Sequence, residues 1–122
     1  MRSRLMDVTT STLQGVPMLV LAGEIGHESC PELRRTLEAM LPDGADRLLL
    51  DFSEVAYIDS GCLGLMWTLF KSFAGHGWLG VIGANADIRR ILSVVGFVED
   101  DAFRLFAARA DAEHALVMES AL

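Results

Sequence analysis

The sequence predicts an α/β domain with a mostly parallel central β-sheet, one antiparallel edge strand and about four helices. Short apolar runs alternate with longer segments of helical periodicity, which gives the order β-β-α-β-α-β-α-β-α. Only the turn signal Gln14-Gly15 separates the first two strands, so these two are predicted to form an antiparallel hairpin. The later strands are joined through helices, which is typical of parallel pairing.

Composition limits the classes of protein to which the chain can belong. With 122 residues and 52% apolar side chains, we expect a single domain over residues 1–122. No apolar run reaches the ~18 residues of a membrane span, and polar residues follow the basic amino terminus where a signal peptide would be apolar. We therefore expect a cytoplasmic protein. The net charge of −7 argues against direct binding to nucleic acid or anionic lipid and favours a basic protein partner.

The metal-binding residue types show no pattern. Cys30 and Cys62 lie far apart in the sequence without a C-x-x-C motif, and the three histidines are scattered. This spacing suggests neither a zinc site nor a disulfide framework. We expect no metal and no cofactor.

The first half of the chain divides into clear elements. Val and Thr content predicts an edge strand from Met6 to Leu13, and apolar content predicts a buried strand from Val16 to Ala22. A polar loop, Gly23 to Glu28, leads to Ser29 as the N-cap of a helix. The inward stripe of that helix consists of Leu33, Leu37, Met40 and Leu41. The central buried strand then runs from Arg47 to Phe52.

The second half continues the alternation. A connection (Ser53 to Tyr57) leads to an apolar helix (Leu63 to Ala74), a strand (Trp78 to Ile82), a helix (Ala86 to Val95), a strand (Phe103 to Phe106) and a last helix (about Asp111 to Met118). In the third helix Ile88, Ile91, Leu92 and Val95 are predicted to point inward, and Gly96 is placed as the C′ residue.

The most informative segment is the hinge, Ile58 to Gly64, between the central strand and the apolar helix. Asp59 and Ser60 are both strong N-cap residues and are followed by Gly61. A serine hydroxyl there lies beside free N–H groups at the positive end of a helix, a position that can hold an anion or carry a phosphate. The hinge and the loop containing Glu24 and Gly26 both follow strands, so we expect them on one face of the domain.

The helix after the hinge carries two apolar stripes. One consists of Cys62, Leu65, Met66, Leu69 and Phe73, and the second of Leu63, Trp67, Phe70 and Ala74. The first interpretation is that the sheet and a neighbouring helix bury both stripes. The alternative is that the second stripe docks another protein with Trp67 as its anchor. The same stripe leaves a homodimer open.

Three segments together resemble the STAS family, specifically the bacterial anti-sigma factor antagonists. The hinge, Asp59 to Gly64, is similar to the family's Asp-Ser-Ser-Gly-Leu-Gly or Asp-Ser-Thr-Gly-Leu-Gly. Leu21 to Ile25 resembles its leucine-x-glycine-glutamate segment, and Ile88 to Phe97 resembles its third helix and the end of that helix. Two departures are visible. Gly61 and Cys62 replace the second hydroxyl residue and the glycine, and Gly26 replaces an aspartate common in the first loop.

The resemblance implies a switch centred on Ser60. In the family this serine is phosphorylated by a kinase that is also the anti-sigma factor, and the unphosphorylated antagonist binds that kinase and frees a sigma factor. The implied partners are this anti-sigma factor serine kinase and a phosphatase. The predicted partner-binding residues are Glu24, Gly26, Asp59, Ser60, Gly61, Leu63 and Trp67.

Alternatives stay open on the sequence alone. Ser60 could only cap the helix, alone or with Asp59, and the domain could be a STAS module of a lipid-transport or signalling-scaffold complex that works without phosphorylation. Asp59 could activate Ser60 as a nucleophile, but the chain has no G-x-S-x-G elbow and no P-loop, so we expect a non-enzyme. Cys62 is expected to be a free core residue, with a redox role as the alternative.

Overall fold

The computed structural model describes residues 6–73, 75–96 and 101–121, and its elements follow the predicted order. The strands are β1 (Met6–Leu13), β2 (Val16–Ile25), β3 (Arg47–Ile58), β4 (Trp78–Ile82) and β5 (Phe103–Phe106). The α-helices are α1 (Cys30–Met40), α2 (Ser60–Phe73), α3 (Ala86–Val94) and α4 (Arg109–Ser120), and a 3₁₀ turn, His27–Ser29, precedes α1. The sheet order is β1-β2-β3-β4-β5, with β1 antiparallel to β2 and the other pairs parallel. The predicted fold class is confirmed.

The hairpin turn has the geometry that its sequence favours. Leu13 pairs with Val16, so the turn contains only Gln14 and Gly15. Both adopt the left-handed region, with φ of 50° and 80°. A two-residue turn with positive φ at both positions matches the right-handed twist of the flanking strands. This turn fixes the register of β1, which forms one edge of the sheet.

Helices cover both faces of the sheet, which explains the continuous apolar run in β3. Leu48 and Leu50 pack into the larger core cluster, together with buried residues of α1, α2 and α3. Leu49 points to the opposite face, where it packs with Ala112 and Leu116 of α4. Successive side chains of a strand alternate between faces, so the part of a strand that is covered on both sides is mostly apolar.

The strands β2 and β3 are longer than predicted, and this corrects two assignments. The expected loop at Gly23–Glu28 is wrong for its first three residues and the expected connection at Ser53–Tyr57 is wrong throughout, because pairing of β2 with β3 continues to Ile25 and Ile58. The register shifts between Gly23 and Glu24, where Gly23 has a φ of 97°. The extension contains polar, exposed residues, so its sequence lacks the apolar pattern from which a buried strand is predicted. The extension brings the ends of both strands to one edge of the sheet.

The third helix is bounded as predicted, but one of its residues points the other way. Asn85 caps α3 by accepting a hydrogen bond from the N–H of Ile88 at 2.9 Å, and Gly96 follows the helix with a φ of 94°. The prediction that Val95 points inward is wrong, because this residue is 44% exposed. Val95 is the C-cap of α3, where the backbone leaves helical periodicity. Ala74 of the second apolar stripe and Phe97 of the family resemblance lie outside the described residues.

The two cysteines are joined in a disulfide, contrary to the sequence-based expectation. The Cα atoms of Cys30 and Cys62 are 5.7 Å apart, within the usual range for this bond. Parallel strands β2 and β3 deliver the starts of α1 and α2 to the same edge of the sheet, which brings together residues 32 positions apart. The expectation of a free core cysteine at position 62 is therefore wrong, although Cys62 is fully buried.

Candidate docking site at the start of helix α2

Asp59 organises the start of α2. Its Oδ1 accepts hydrogen bonds from the N–H groups of Gly61 at 3.0 Å and Cys62 at 3.3 Å. Its Oδ2 accepts from the N–H of His27 at 2.7 Å, which ties the 3₁₀ turn to the helix. Burial raises the pKa of Asp59, but the three N–H donors and the nearby His27 lower it by more, so the pKa lies below its ordinary value. The carboxylate is therefore the cap of α2.

Ser60 is the first residue of α2 and projects into solvent. Within the described part of the chain, its hydroxyl has no hydrogen-bonding partner, because Asp59 already accepts from the first free N–H groups. Of the two capping residues that the sequence offered, only Asp59 caps through its side chain. Ser60 is left with an accessible hydroxyl at the positive end of a 14-residue helix.

Beside Ser60 lies a shallow apolar depression of about 350 Å³, here called the Trp67 depression, lined by Ser60, Leu63, Gly64, Trp67 and Val95. Trp67 is 38% exposed, and its ring contacts that of Phe70 with 5.5 Å between centroids. The Nζ of Lys71, one helical turn further along α2, lies 5.6 Å from the Trp67 ring centroid. An aromatic side chain that is rigidly packed yet partly exposed is typical of a docking anchor.

Neither interpretation of the second apolar stripe holds for all of its described members. Phe70 is buried at 2% exposure, Leu63 is half-buried, and Trp67 is exposed. The first stripe is also divided, since Cys62, Met66 and Phe73 are buried whereas Leu65 and Leu69 line a groove against α1. The exposed apolar side chain of α2 is therefore Trp67, two helical turns after Ser60.

The predicted loop residues lie at the same edge of the sheet. Glu24 is exposed and pairs with Tyr57 near the end of β3, so it lies in a strand and not in a loop. The carbonyl of Gly26 accepts the N–H of Ser29 at 2.9 Å and lies 3.3 Å from the Sγ of Cys62. Gly61 is packed closely, because a Cβ there would come within 3.3 Å of both the Asp59 carboxylate and the Cβ of His27. This contact favours glycine at position 61, where the family has a hydroxyl residue.

Two participants in the site were not predicted from the sequence. Val95 lines the Trp67 depression from α3, and Tyr57 is 52% exposed beside Glu24. An apolar residue directly before a helix-ending glycine is a signal for exposure of this kind, since such a residue lies outside the helical stripe. No comparable local signal identifies Tyr57.

No group of three or more histidine, cysteine or acidic residues among the described residues is arranged to hold a metal ion. Within the same part of the chain, none of the helices combines the length and apolar character needed to cross a membrane.

The sheet order, the helices on its two faces and the Asp59-Ser60 helix start define a STAS-type domain, and sequence comparison agrees. The family model described as "Mlab, STAS domain" matches residues 8–106. The chain therefore belongs to the STAS domain family.

Individual relatives are distant but cover most of the chain. The anti-sigma-F factor antagonist RsfB of Mycobacterium tuberculosis is 27% identical over 105 residues, which are 86% of this chain and 84% of RsfB. A solved anti-sigma factor antagonist from Mycobacterium paratuberculosis has a TM-score of 0.79 at 22% identity, covering 92% of this chain and 94% of that one. The Bacillus cell fate determinant SpoIIAA in its phosphorylated form has a TM-score of 0.70 at 16% identity, covering 90% and 99%. Structural likeness at such identities shows the fold.

Replacing Asp59 with alanine should lower the melting temperature at neutral pH, because three N–H groups lose their acceptor. The folded-state pKa is lowered, so the stabilisation is present above the unfolded-state pKa and is lost as pH falls through the folded-state pKa. Melting curves from pH 7 to pH 3 should therefore converge for the two proteins. Asp87→Ala, an exposed carboxylate in the first turn of α3, is the matched control and should change little. Equal effects of both variants would contradict the role of Asp59.

Proposed function

We propose that this STAS domain is an anti-sigma factor antagonist. In its unphosphorylated form it binds an anti-sigma factor that is also a serine kinase, and phosphorylation of Ser60 ends the binding. The observation that carries the proposal is the exposed Ser60 hydroxyl on the rim of the Trp67 depression, while Asp59 alone caps α2. The likeness to RsfB and to the Mycobacterium paratuberculosis protein, both anti-sigma factor antagonists, supports the same class of partner.

The helix start makes phosphorylation compatible with the folded domain. A phosphate adds about −1.5 to −2 charges and three acceptor oxygens. At position 60 these charges would lie at the positive end of α2, where they are stabilised. SpoIIAA, which shares this fold, has been solved in both a phosphorylated and an unphosphorylated form. The phosphate would therefore act on docking, by placing charge and bulk at the edge of an apolar depression.

The proposed docking surface has an apolar centre and an acidic margin. Trp67, Leu63 and Val95 supply the apolar part, and Glu24 and Asp59 lie at the neighbouring strand ends. The net charge of −7 favours a basic partner. The acidic groups of this domain would accelerate the association with such a partner. Both Asp59 oxygens are engaged by backbone N–H groups, which supports a binding module over an enzyme that would use Asp59 as a base. We place this function in the cytoplasm.

Paired capture from a lysate of the source cell tests the switch, with Ser60→Ala and Ser60→Asp proteins as bait. The alanine form should retain an ATP-binding kinase, and the aspartate form should bind it at least about 100-fold more weakly, because a charge is introduced at the edge of the apolar depression where the partner docks. Titration of the purified kinase with each form measures the two dissociation constants. Incubation of the unmodified protein with kinase and ATP should place one phosphate on Ser60.

The control separates the position of the charge from the charge itself. Ser11→Asp adds the same charge to an exposed serine in β1, the edge strand, and should bind as tightly as the unmodified protein. Melting temperatures of all forms should agree within a few degrees. Equal capture by the alanine and aspartate forms would point to the alternative, a STAS interaction module that works without phosphorylation. A large loss of stability in Ser60→Asp would contradict the proposed mechanism.

A further inference from the structure

The Cys30–Cys62 disulfide lies next to the candidate docking site and has no part in the proposed phosphorylation. It joins the first residue of α1 to the first turn of α2, two residues after Ser60. The segment that the bond closes contains α1, which begins at Cys30, and the whole of β3, and the two cysteines are 32 positions apart in the sequence. The described residues contain no free cysteine.

The 3₁₀ turn at His27–Ser29 is held at three points, one of which is this bond. The N–H of His27 donates to Asp59, the N–H of Ser29 donates to the carbonyl of Gly26, and Cys30 continues directly from the turn into the disulfide. Cleaving the bond removes the covalent connection between this turn and α2. The start of α2, including Ser60, then depends on hydrogen bonds and on core packing for its position against α1.

We infer that Cys30–Cys62 is a reversible thiol–disulfide exchange site for a dithiol reductant, and that its cleavage loosens the docking surface around Ser60. The second part of this inference rests on the proposed function, because it concerns the same surface. In a reducing compartment a disulfide is usually transient and redox-sensing, whereas a purely structural one is rare.

Burial determines which sulfur is attacked. Cys62 is fully buried, whereas Cys30 is only partly buried, so the thiolate of the reductant reaches the Sγ of Cys30. A new S–S bond forms to Cys30 while the Cys30–Cys62 bond breaks, and Cys62 leaves as a thiolate in the first turn of α2. The positive end of the α2 dipole favours that negative charge. The second thiol of the reductant then attacks the reductant sulfur that is bonded to Cys30. This step closes the disulfide of the reductant and releases Cys30 as a thiol.

The exchange is balanced in atoms and electrons. The protein disulfide takes up two electrons and two protons and becomes two thiols, and the dithiol is oxidised to its own disulfide. The thiol of Cys62 finds an acceptor in place, because its Sγ lies 3.3 Å from the carbonyl oxygen of Gly26. Reduction therefore leaves the buried Cys62 thiol with a partner, which is a condition for a domain that stays folded in both states.

The test uses the isolated, unphosphorylated protein with dithiothreitol as the dithiol and iodoacetamide as the trap, without denaturant. Cys30, the partly buried cysteine, should be alkylated after dithiothreitol and should not be alkylated without it. The melting temperature should fall by on the order of 10 °C, because a long loop is released. Amide exchange of His27 and Gly61 should become about tenfold faster as the turn loosens. The N–H of Ile88, capped by Asn85 on α3, is the internal reference and should not change.

A double variant, Cys30→Ser with Cys62→Ser, serves as the matched control. Its melting temperature and amide exchange should resemble those of the reduced protein and should not change when dithiothreitol is added. Reduction that requires denaturant would overturn the exchange site. Reduction without faster exchange of His27 and Gly61 would overturn the coupling to the docking surface. Since neither a partner nor a phosphate enters these measurements, their failure is distinct from a failure of the Ser60 switch.

Discussion

Gly77→Ala is expected to lower the free energy of unfolding by about 3 kcal/mol and the melting temperature by roughly 10 °C. Gly77 directly precedes β4, and its backbone passes against the residue that leads into β3. A Cβ at this position would lie 2.9 Å from the Cα of Asp46 and closer still to its carbonyl group. The atoms in the way belong to backbone, so no side-chain rotation relieves the clash. The same carbonyl accepts the N–H of Trp78 at 2.9 Å, so the shift also weakens the first hydrogen bond of the β3–β4 pair.

Gly64→Ala is the control for this prediction. Gly64 lies within α2, and a Cβ there meets no described atom within 4 Å. Alanine at an open helical position should raise the free energy of unfolding by up to about 1 kcal/mol, because glycine is the poorer helix former. Urea titration of both variants measures the two changes on one scale. Equal and small effects would show that the backbone at Gly77 can move away from Asp46 without a loss of stability.

Patterns within a few neighbouring residues predicted most of the fold. The Gln14-Gly15 turn, the apolar run of β3 and the glycine after α3 each specify local geometry, and the structure confirms all three. The second half of β3 could not be predicted in this way. Its exposed Ser53 and Glu54 carry no strand signal, and their conformation follows from pairing with β2, which is distant in sequence. Tertiary pairing decided the structure of this segment.

The candidate site likewise has a part that follows from local sequence and a part that depends on tertiary structure. The capping role of Asp59 follows from residue type and position, because a cap is a contact within one helical turn. The disulfide depends on where the starts of α1 and α2 meet, and the contribution of Val95 depends on where the end of α3 meets α2. Spacing along the chain does not encode those meetings. Ser60 and Trp67, to which the sequence assigns a proposed role, are exposed as a docking site requires, and their roles stay predictions.

A second large effect is expected at Asp51, the buried acidic residue of β3. Asp51 is 3% exposed, and its Oδ1 accepts the N–H of Ser53 at 2.9 Å and the hydroxyl of Ser53 at 2.6 Å. Its Oδ2 accepts from Nε of Arg109 at 3.2 Å and from Nη2 of the same side chain at a shorter distance. Arg109 is the first residue of α4, so this ion pair fastens α4 to the face of the sheet opposite α2. Burial raises the pKa of Asp51, but the hydrogen bonds from Ser53 and Arg109 and the charge of Arg109 lower it by more.

Asp51→Asn should therefore lower the free energy of unfolding by about 2 kcal/mol at pH 7, less than for a fully buried pair because half of the Arg109 side chain is exposed. The folded-state pKa lies below the unfolded value of about 3.9. Between the two values the unfolded chain binds more protons, so stability falls as pH falls through the folded-state pKa. Urea titrations should show the full difference between the two proteins at pH 7 and a much smaller one at pH 3.

Glu119→Gln is the control for this prediction, because it removes a more exposed carboxylate that pairs with Arg47 and Arg104. It should lower the free energy of unfolding by less than about 1 kcal/mol. A difference for Asp51→Asn that stayed constant down to pH 3 would show that shape, and not the charge of Asp51, holds α4 in place.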